Sequence, residues 1–367
     1  MRKLLAIAAL AAFGVSTAAA QSSWTRELGI QGGYAKVKPA GTGANDAINV
    51  FDIPGGTFSL SSSLGGAAVF AILPWHNKLA MEMQFSGSQI NLAGTTVTGA
   101  RLGLRGDYAL GTQFYAAAGG TLNYISGLGN NETMQLGVQA AVGYRRRLTN
   151  TINGRLEGSF TATNKKALGA MDVYAIHLGV SSSLGGGKMA PASRRANNRA
   201  WEPAIGFAAG YENMHLVGTG SDVGSLSFPG MGGSLTGLAP LASSPTVFAI
   251  IPMGQKLALE PALDFHSYSP AGGPGVKGIN VAARFDYAVS GNWYGAVGGH
   301  LLDFSPSGGG GGTITGADLA WGYRFHLAGA FGGRFEGSYS LAGKSTKVGV
   351  PAINTLGVKF GAMMPLK

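Results

Sequence analysis

The sequence predicts an all-β fold: a transmembrane antiparallel up-and-down β-barrel, built as two tandem eight-stranded barrels. Three observations predict it. Apolar and polar residues alternate with a period of two over most of the chain, the mark of strands with two unlike faces. The second half repeats the first at an offset of 177 to 179 residues. Charged residues make up 12% of the 367 positions while 62 are glycine, against roughly 25% charged in soluble domains. Two soluble surfaces would be hard to coat with so few charges.

Residues 1–20 read as a secretory signal peptide. Arg2 and Lys3 form a basic start, Leu4 to Val15 an apolar core, and Ala18-Ala19-Ala20 a small-residue cleavage site. That core is too short for a spanning helix, and no later run reaches about 18 uninterrupted apolar residues. Loss of Arg2 and Lys3 leaves 25 basic against 17 acidic residues, a formal charge of +8. Export argues against nucleic acid as the partner of that charge. There is no cysteine, which excludes disulfides, cysteine metal sites and a lipid-modified N-terminal cysteine. No cofactor is expected, since "GGGGG" at 308–312 reads as a loop tip.

The first unit, residues 21–184, carries eight strands near 26–38, 58–72, 78–90, 97–109, 113–125, 133–146, 152–163 and 172–184. In "KLAMEMQF", Leu79, Met81, Met83 and Phe85 share one face and Ala80, Glu82 and Gln84 the other. In "GRLEGSF", Arg155, Glu157 and Ser159 oppose Leu156, Gly158 and Phe160. Tight connections such as "LPWHNK" and "ALGTQF" alternate with longer ones at 39–57, 91–96, 126–132 and 164–171. "GGGKMAPASRRANNRA", residues 185–200, reads as a periplasmic linker. The second unit, 201–367, repeats the plan, with "VFAIIP" for "VFAILP" and "GRFEGSY" for "GRLEGSF", and a long first loop at about 216–244. Eight strands return the chain to the side it left, so a single sixteen-stranded barrel is the alternative closure. The linker and the repeated charges favour two.

The paucity of charge decides which face looks outward. Large apolar residues facing hydrocarbon, with small residues and a few charges inside, fit a membrane barrel. Tyr108, Phe114, Tyr115 and Tyr144, with Tyr287, Trp293, Tyr294 and Tyr323, lie near the short turns as an interfacial girdle. Parity places Glu82, Arg105, Asp107, Arg145, Arg155 and Glu157 in the lumen, and Glu260, Arg284, Asp286, Arg324, Arg334 and Glu336 at the equivalent positions of the second unit. On the lipid face an arginine would cost roughly 2–4 kcal/mol near the midplane. Inside, three acids and three bases per unit can satisfy one another, plug the lumen and fix register. Duplication alone would also have preserved them.

This pattern resembles the outer-membrane β-barrel proteins of Gram-negative-type bacteria, the eight-stranded OmpA/OmpX-like class in particular. The C-terminal "KFGAMMPL", with Lys359, Gly361, Met364 and Leu366, looks like the assembly signal of that family, although the usual final aromatic is replaced and Lys367 follows. The resemblance implies outer-membrane residence, contact with outer-membrane lipid and lipopolysaccharide, and engagement of the barrel-assembly machinery during biogenesis. It assigns no oligomeric state.

The leading functional expectation is an integral outer-membrane protein with a structural or surface-interaction role. A sixteen-stranded porin for small solutes is the alternative, and a lipid- or peptide-hydrolysing enzyme a third. None of His76, His177, His215, His266, His300 and His326 recurs in the other unit. "DFHSYS" holds Asp264, His266 and Ser267, but neighbours on a strand point to opposite faces. No catalytic or metal site is expected.

Overall fold

The computed structural model describes residues 24–39, 48–52, 68–92, 95–128, 131–148, 152–164, 170–184, 200–219, 221–227, 246–269, 276–306, 309–328, 331–345 and 351–366. The expected signal peptide and nearly all of the linker lie outside these residues, whereas in "GGGGG" Gly309 to Gly311 stand outside any strand, Gly309 and Gly310 at φ of 92° and 85°, as a loop tip would. No helix among them is long and apolar enough to cross a membrane.

The first unit contains β1 (Glu27–Pro39), β2 (Ile48–Asp52), β3 (Ala68–Pro74), β4 (Leu79–Leu92), β5 (Thr95–Ala109), β6 (Phe114–Leu128), β7 (Asn131–Arg147), β8 (Ile152–Thr163) and β9 (Met171–Ser183). The second contains β10 (Ala204–Leu216), β11 (Ser221–Ser227), β12 (Thr246–Pro252), β13 (Leu257–Ser269), β14 (Val276–Ser290), β15 (Trp293–Pro306), β16 (Gly312–Ala328), β17 (Phe331–Ala342) and β18 (Ile353–Pro365). At the short-turn end β1 pairs with β3, β3 with β4, and so in order to β9, which returns to β1. β10, β12 and β13 to β18 close in the same way. Every pairing is antiparallel, and the chain forms two closed eight-stranded barrels.

The opposite end departs from the expectation of long first loops at 39–57 and 216–244. Both regions contain a strand, and each strand bridges the two barrels. β2 pairs with β1 on one side and with β13 of the other unit on the second, Phe51 facing Ser267. β11 pairs with β10 and with β4 of the first unit, Val223 facing Leu92. At this level sixteen strands follow one another around a common mouth, above two separate eight-stranded stems. Backbone hydrogen bonding needs no apolar alternation, so these strands leave little trace in side-chain pattern. The loops expected at 91–96 and 126–132 are shorter for the same reason, because β4 runs to Leu92 before β5 begins at Thr95, and β6 to Leu128 before β7 begins at Asn131.

The stems also touch through their outer walls. Ile30 and Ile152 of the first unit join Phe207, Phe331, Ala362 and Met364 of the second in one buried cluster, with Leu28, Val69 and Val180 packed against it. Parity points Ile30 and Phe207 outward, yet only 6% and 9% of their surface is exposed. Elsewhere outward residues stay bare: Val138 is 62% exposed, Leu178 68% and Leu356 63%.

The strand exchange is open to a direct test in a chain that has no cysteine of its own. Phe51→Cys with Ser267→Cys, opposite one another across β2 and β13, is expected to oxidise to a cross-link that changes mobility on denaturing gels. Tyr34→Cys with Phe51→Cys, opposite across β1 and β2, is the positive control. Cross-linking of the control pair alone would show that the barrels close independently at the mouth.

Candidate functional site

Each stem carries an ion cluster built on four strands. In the first, β4 supplies Glu82, β5 Arg105 and Asp107, and β8 Arg155 and Glu157, while Tyr115 comes from β6. Arg105 holds Glu157 with two parallel bonds, Nη1 to Oε1 at 2.8 Å and Nη2 to Oε2 at 2.5 Å. The same Nη2 lies 3.0 Å from Glu82 Oε1, and Nε lies 3.0 Å from Asp107 Oδ1. Arg155 closes the ring, with Nη1 at 2.6 Å from Glu82 Oε2 and Nη2 at 3.1 Å from Glu157 Oε2. The Tyr115 hydroxyl donates to Glu157 Oε2 at 2.6 Å. Glu157 has no exposed surface.

The second stem repeats this arrangement. Arg284 is bidentate to Glu336 at 2.8 and 2.6 Å, reaches Glu260 at 3.0 Å, and sets Nε 3.1 Å from Asp286. Arg334 pairs with Glu260, and Tyr294 donates to Glu336 at 2.7 Å. Both clusters sit on an aromatic floor. Arg155 lies 3.9 Å above the Phe70 ring and Arg334 3.7 Å above Phe248. Trp24 meets Tyr115 edge-on at 5.7 Å, as Trp201 meets Tyr294 at 5.4 Å. Their indole nitrogens donate to Lys78 O at 3.2 Å and Lys256 O at 2.9 Å. Cation–π contacts of this kind gain strength when water is excluded.

The lumen accepts these large groups because glycines clear the way. A Cβ at Gly143 or Gly322 would overlap the ring of Tyr115 or Tyr294, and one at Gly119 or Gly298 would overlap Arg105 or Arg284 together with the adjacent strand's backbone.

Five of the six charges foreseen in each unit converge, and one does not. Arg145 pairs instead with Glu27 on β1 and lies 5.0 Å from the Trp24 ring centre. Its counterpart Arg324 stacks 3.9 Å over Trp201 and donates to Ala200 O at 2.7 Å, since Ala204 stands where the first unit has Glu27. Tyr115 and Tyr294 are not interfacial: they are buried in the lumens. Phe114 and Tyr115 are successive on a strand, so only one could face lipid. Tyr108, Phe114, Tyr287 and Trp293 do face outward. At the C-terminus Lys359 is ion-paired with Glu212 at 2.9 Å, Gly361 lies against Arg334, Met364 is buried between the stems, and Leu366 is exposed.

Residues present in only one unit add further polar contacts. In the first lumen Arg101 donates to Gln139 at 3.2 Å and Gln84 to Glu82 at 2.7 Å. In the second, His300 Nδ1 lies 2.9 Å from both oxygens of Asp318, which also accepts the Ser340 hydroxyl. Ser340 Oγ is 3.5 Å from the same Nδ1. A hydrolytic triad needs its serine on the ring nitrogen remote from the acid, so these three side chains make no activated nucleophile. Side chains of Asp264, His266 and Ser267 lie outside the described residues. No group of three or more potential ligands could hold a metal ion among the described residues.

No protein-family model matches the chain, and no curated protein matches its sequence. The solved structures that align with it are outer-membrane β-barrel proteins. Ail, the attachment invasion locus protein of Yersinia pestis, aligns at 12% identity over 43% of this chain and 99% of its own, with a TM-score of 0.26. The monoaromatic hydrocarbon channel CymD aligns at 6% over 94% and 90%, with a TM-score of 0.29. OmpT, an outer membrane protein of Vibrio cholerae, aligns at 9% over 78% and 97%, with 0.26. At scores this low the likeness carries nothing for function.

Glu157→Ala takes from Arg105 and Arg155 the carboxylate they share and leaves them only Glu82 and Asp107, and breaking a buried pair costs about 3–5 kcal/mol. Tyr115→Phe removes one hydrogen bond to a charged acceptor, worth roughly 1.5–3 kcal/mol, and leaves both arginines on Glu157. The midpoint of heat-induced unfolding, followed as the shift between folded and unfolded gel bands, should fall in the order wild type, Tyr115→Phe, Glu157→Ala. Equal midpoints would remove the cluster from the stability of the barrel.

Proposed function

We propose that this chain is an integral protein of the bacterial outer membrane, its two stems set in lipid with both lumens closed by the ion clusters, and that its role is structural or one of surface contact. The observation that carries this reading is the inversion of burial. Glu82, Glu157, Glu260 and Glu336 are sealed inside, while leucines, valines and aromatics cover the outer wall. Monomeric soluble proteins rarely expose apolar patches beyond a few hundred Å². An open sheet could not take this place in a bilayer, because each unpaired backbone group there costs several kcal/mol. Closure into barrels removes that penalty.

With their lumens filled, the stems offer no wide aqueous path, which leaves the wall and the mouth as working surfaces. The wall meets lipid and, in the outer leaflet, lipopolysaccharide. Residues 1–20 act as the export signal, and Lys359, Gly361, Met364 and Leu366 as the sequence read by the barrel-assembly machinery. Met364 ends up buried between the stems, so that reading precedes their docking.

After export, the protein should stay in the outer-membrane fraction through an alkaline carbonate wash and require detergent for release. In planar bilayers the purified chain should give no large steady channels. Release into the soluble fraction would end the membrane assignment. A large, stable conductance would end the closed-lumen reading and favour a porin.

A further inference from the structure

The two lumens part company above their shared ion cluster. In the first, Arg101 and Gln139 meet across the barrel at 3.2 Å and are almost fully buried. In the repeat these positions are Asn280 and Asp318, whose shorter side chains cannot span the same gap. Ala35 becomes Glu212, and His177 becomes Lys359. A cavity of about 140 Å³ opens in the second stem, lined among others by Glu212, Asn280, His300, Asp318, Ser340 and Lys359, with Glu260, Glu336, Arg284 and Arg334 of the ion cluster also on its wall.

The polar atoms facing this cavity are unevenly satisfied. Asp318 is occupied by His300 and Ser340. Glu212 spends Oε1 on Lys359 at 2.9 Å, but its Oε2 is buried without a partner, although only 2% of the residue is exposed. Asn280 Oδ1 is buried and unpartnered as well. Both atoms are acceptors, so both call for a donor, and a buried acceptor left unmet costs about 1–3 kcal/mol. Four carboxylates line the cavity against three permanent cations. An engineered apolar cavity of about 150 Å³ admits benzene, which sets the size of occupant.

We propose that the lumen of the second barrel is a binding site for a small primary ammonium compound, its cationic head held between Glu212 Oε2 and Asn280 Oδ1 above the ion cluster. An ammonium group offers three donors and no acceptor, matching two unmet acceptors in a pocket of acidic balance. An anion would face the carboxylates of Glu212 and Asp318, and the unmet donors on the wall, Arg284 Nε and Arg334 Nε, belong to the ion cluster below. Gly357 leaves room for Glu212, since a Cβ there would stand 3.0 Å from its side chain, and Lys359 holds Oε1 before any ligand arrives. In the first lumen the Arg101–Gln139 bridge occupies the equivalent level.

The test is calorimetric titration of the full chain in detergent with ethylammonium chloride, with ethanol and sodium acetate as comparators of similar size. Wild type should bind ethylammonium saturably in the millimolar range, the ceiling for a ligand of about three heavy atoms, and neither comparator measurably. Glu212→Gln, nearly isosteric, should weaken binding at least tenfold. Asn280→Arg with Asp318→Gln rebuilds the bridge of the first lumen and should abolish it. Heat-modifiable gel mobility reports whether each variant has folded, and Glu212→Gln decides alone should the double variant not fold. The proposal falls if wild type gives no saturable signal, which would mean that water fills the cavity. It falls equally if ethanol binds as well as ethylammonium, or if folded bridge or Glu212→Gln variants bind unchanged.

Discussion

Two arginines gripping one buried glutamate, Arg105 and Arg155 on Glu157 and Arg284 and Arg334 around Glu336 and Glu260, organise both stems. Taking so many charges out of water is expensive unless each meets a partner of opposite sign with good geometry. The strands that carry them must therefore stand in one register, because a slip of one residue would turn every charge on a strand to the outer wall. Much of the surrounding sequence follows from this demand. Glycines face the guanidinium groups and tyrosine rings, phenylalanines lie beneath the arginines, and tryptophans close the short-turn end.

The duplication conserves the demanding part of the lumen and frees the rest. In the cluster itself the five charged residues, the tyrosine and the floor aromatic agree between the two units. Above it they diverge: Arg101 and Gln139 fill one stem, and Asn280, His300, Asp318 and Leu302 leave space in the other. Sidedness diverges too. Glu27 anchors Arg145 in the first unit, whereas Trp201 and a backbone carbonyl take Arg324 in the second.

Much of this was legible because a strand has only two faces. Parity alone sorts Arg155 and Glu157 from Leu156, and repetition shows which charges belong together. Residues present once, Glu27, Arg101, Glu212 and the His300–Asp318 pair, carry no repetition to mark them in the sequence. Glu27 shares the parity of Gln31 and could have been named from that. Tyr115 and Tyr294 lie near turns, as an interfacial aromatic would, but alternation with Phe114 and Trp293 turns them inward. The bridging strands β2 and β11 were invisible for a deeper reason: their partners lie in the other half of the chain, and backbone pairing imposes no pattern on side chains.

Those bridging strands tie completion of each wall to the presence of the other. Phe51 finds its neighbour at Ser267 and Leu92 at Val223, contacts so distant in sequence that their loop-closure entropy is met late in folding. One half alone can close its stem, but its mouth keeps an unpaired seam, β2 without β13 and the end of β4 without β11. Maturation of the molecule is thus a joint event, in which neither half is a finished object by itself.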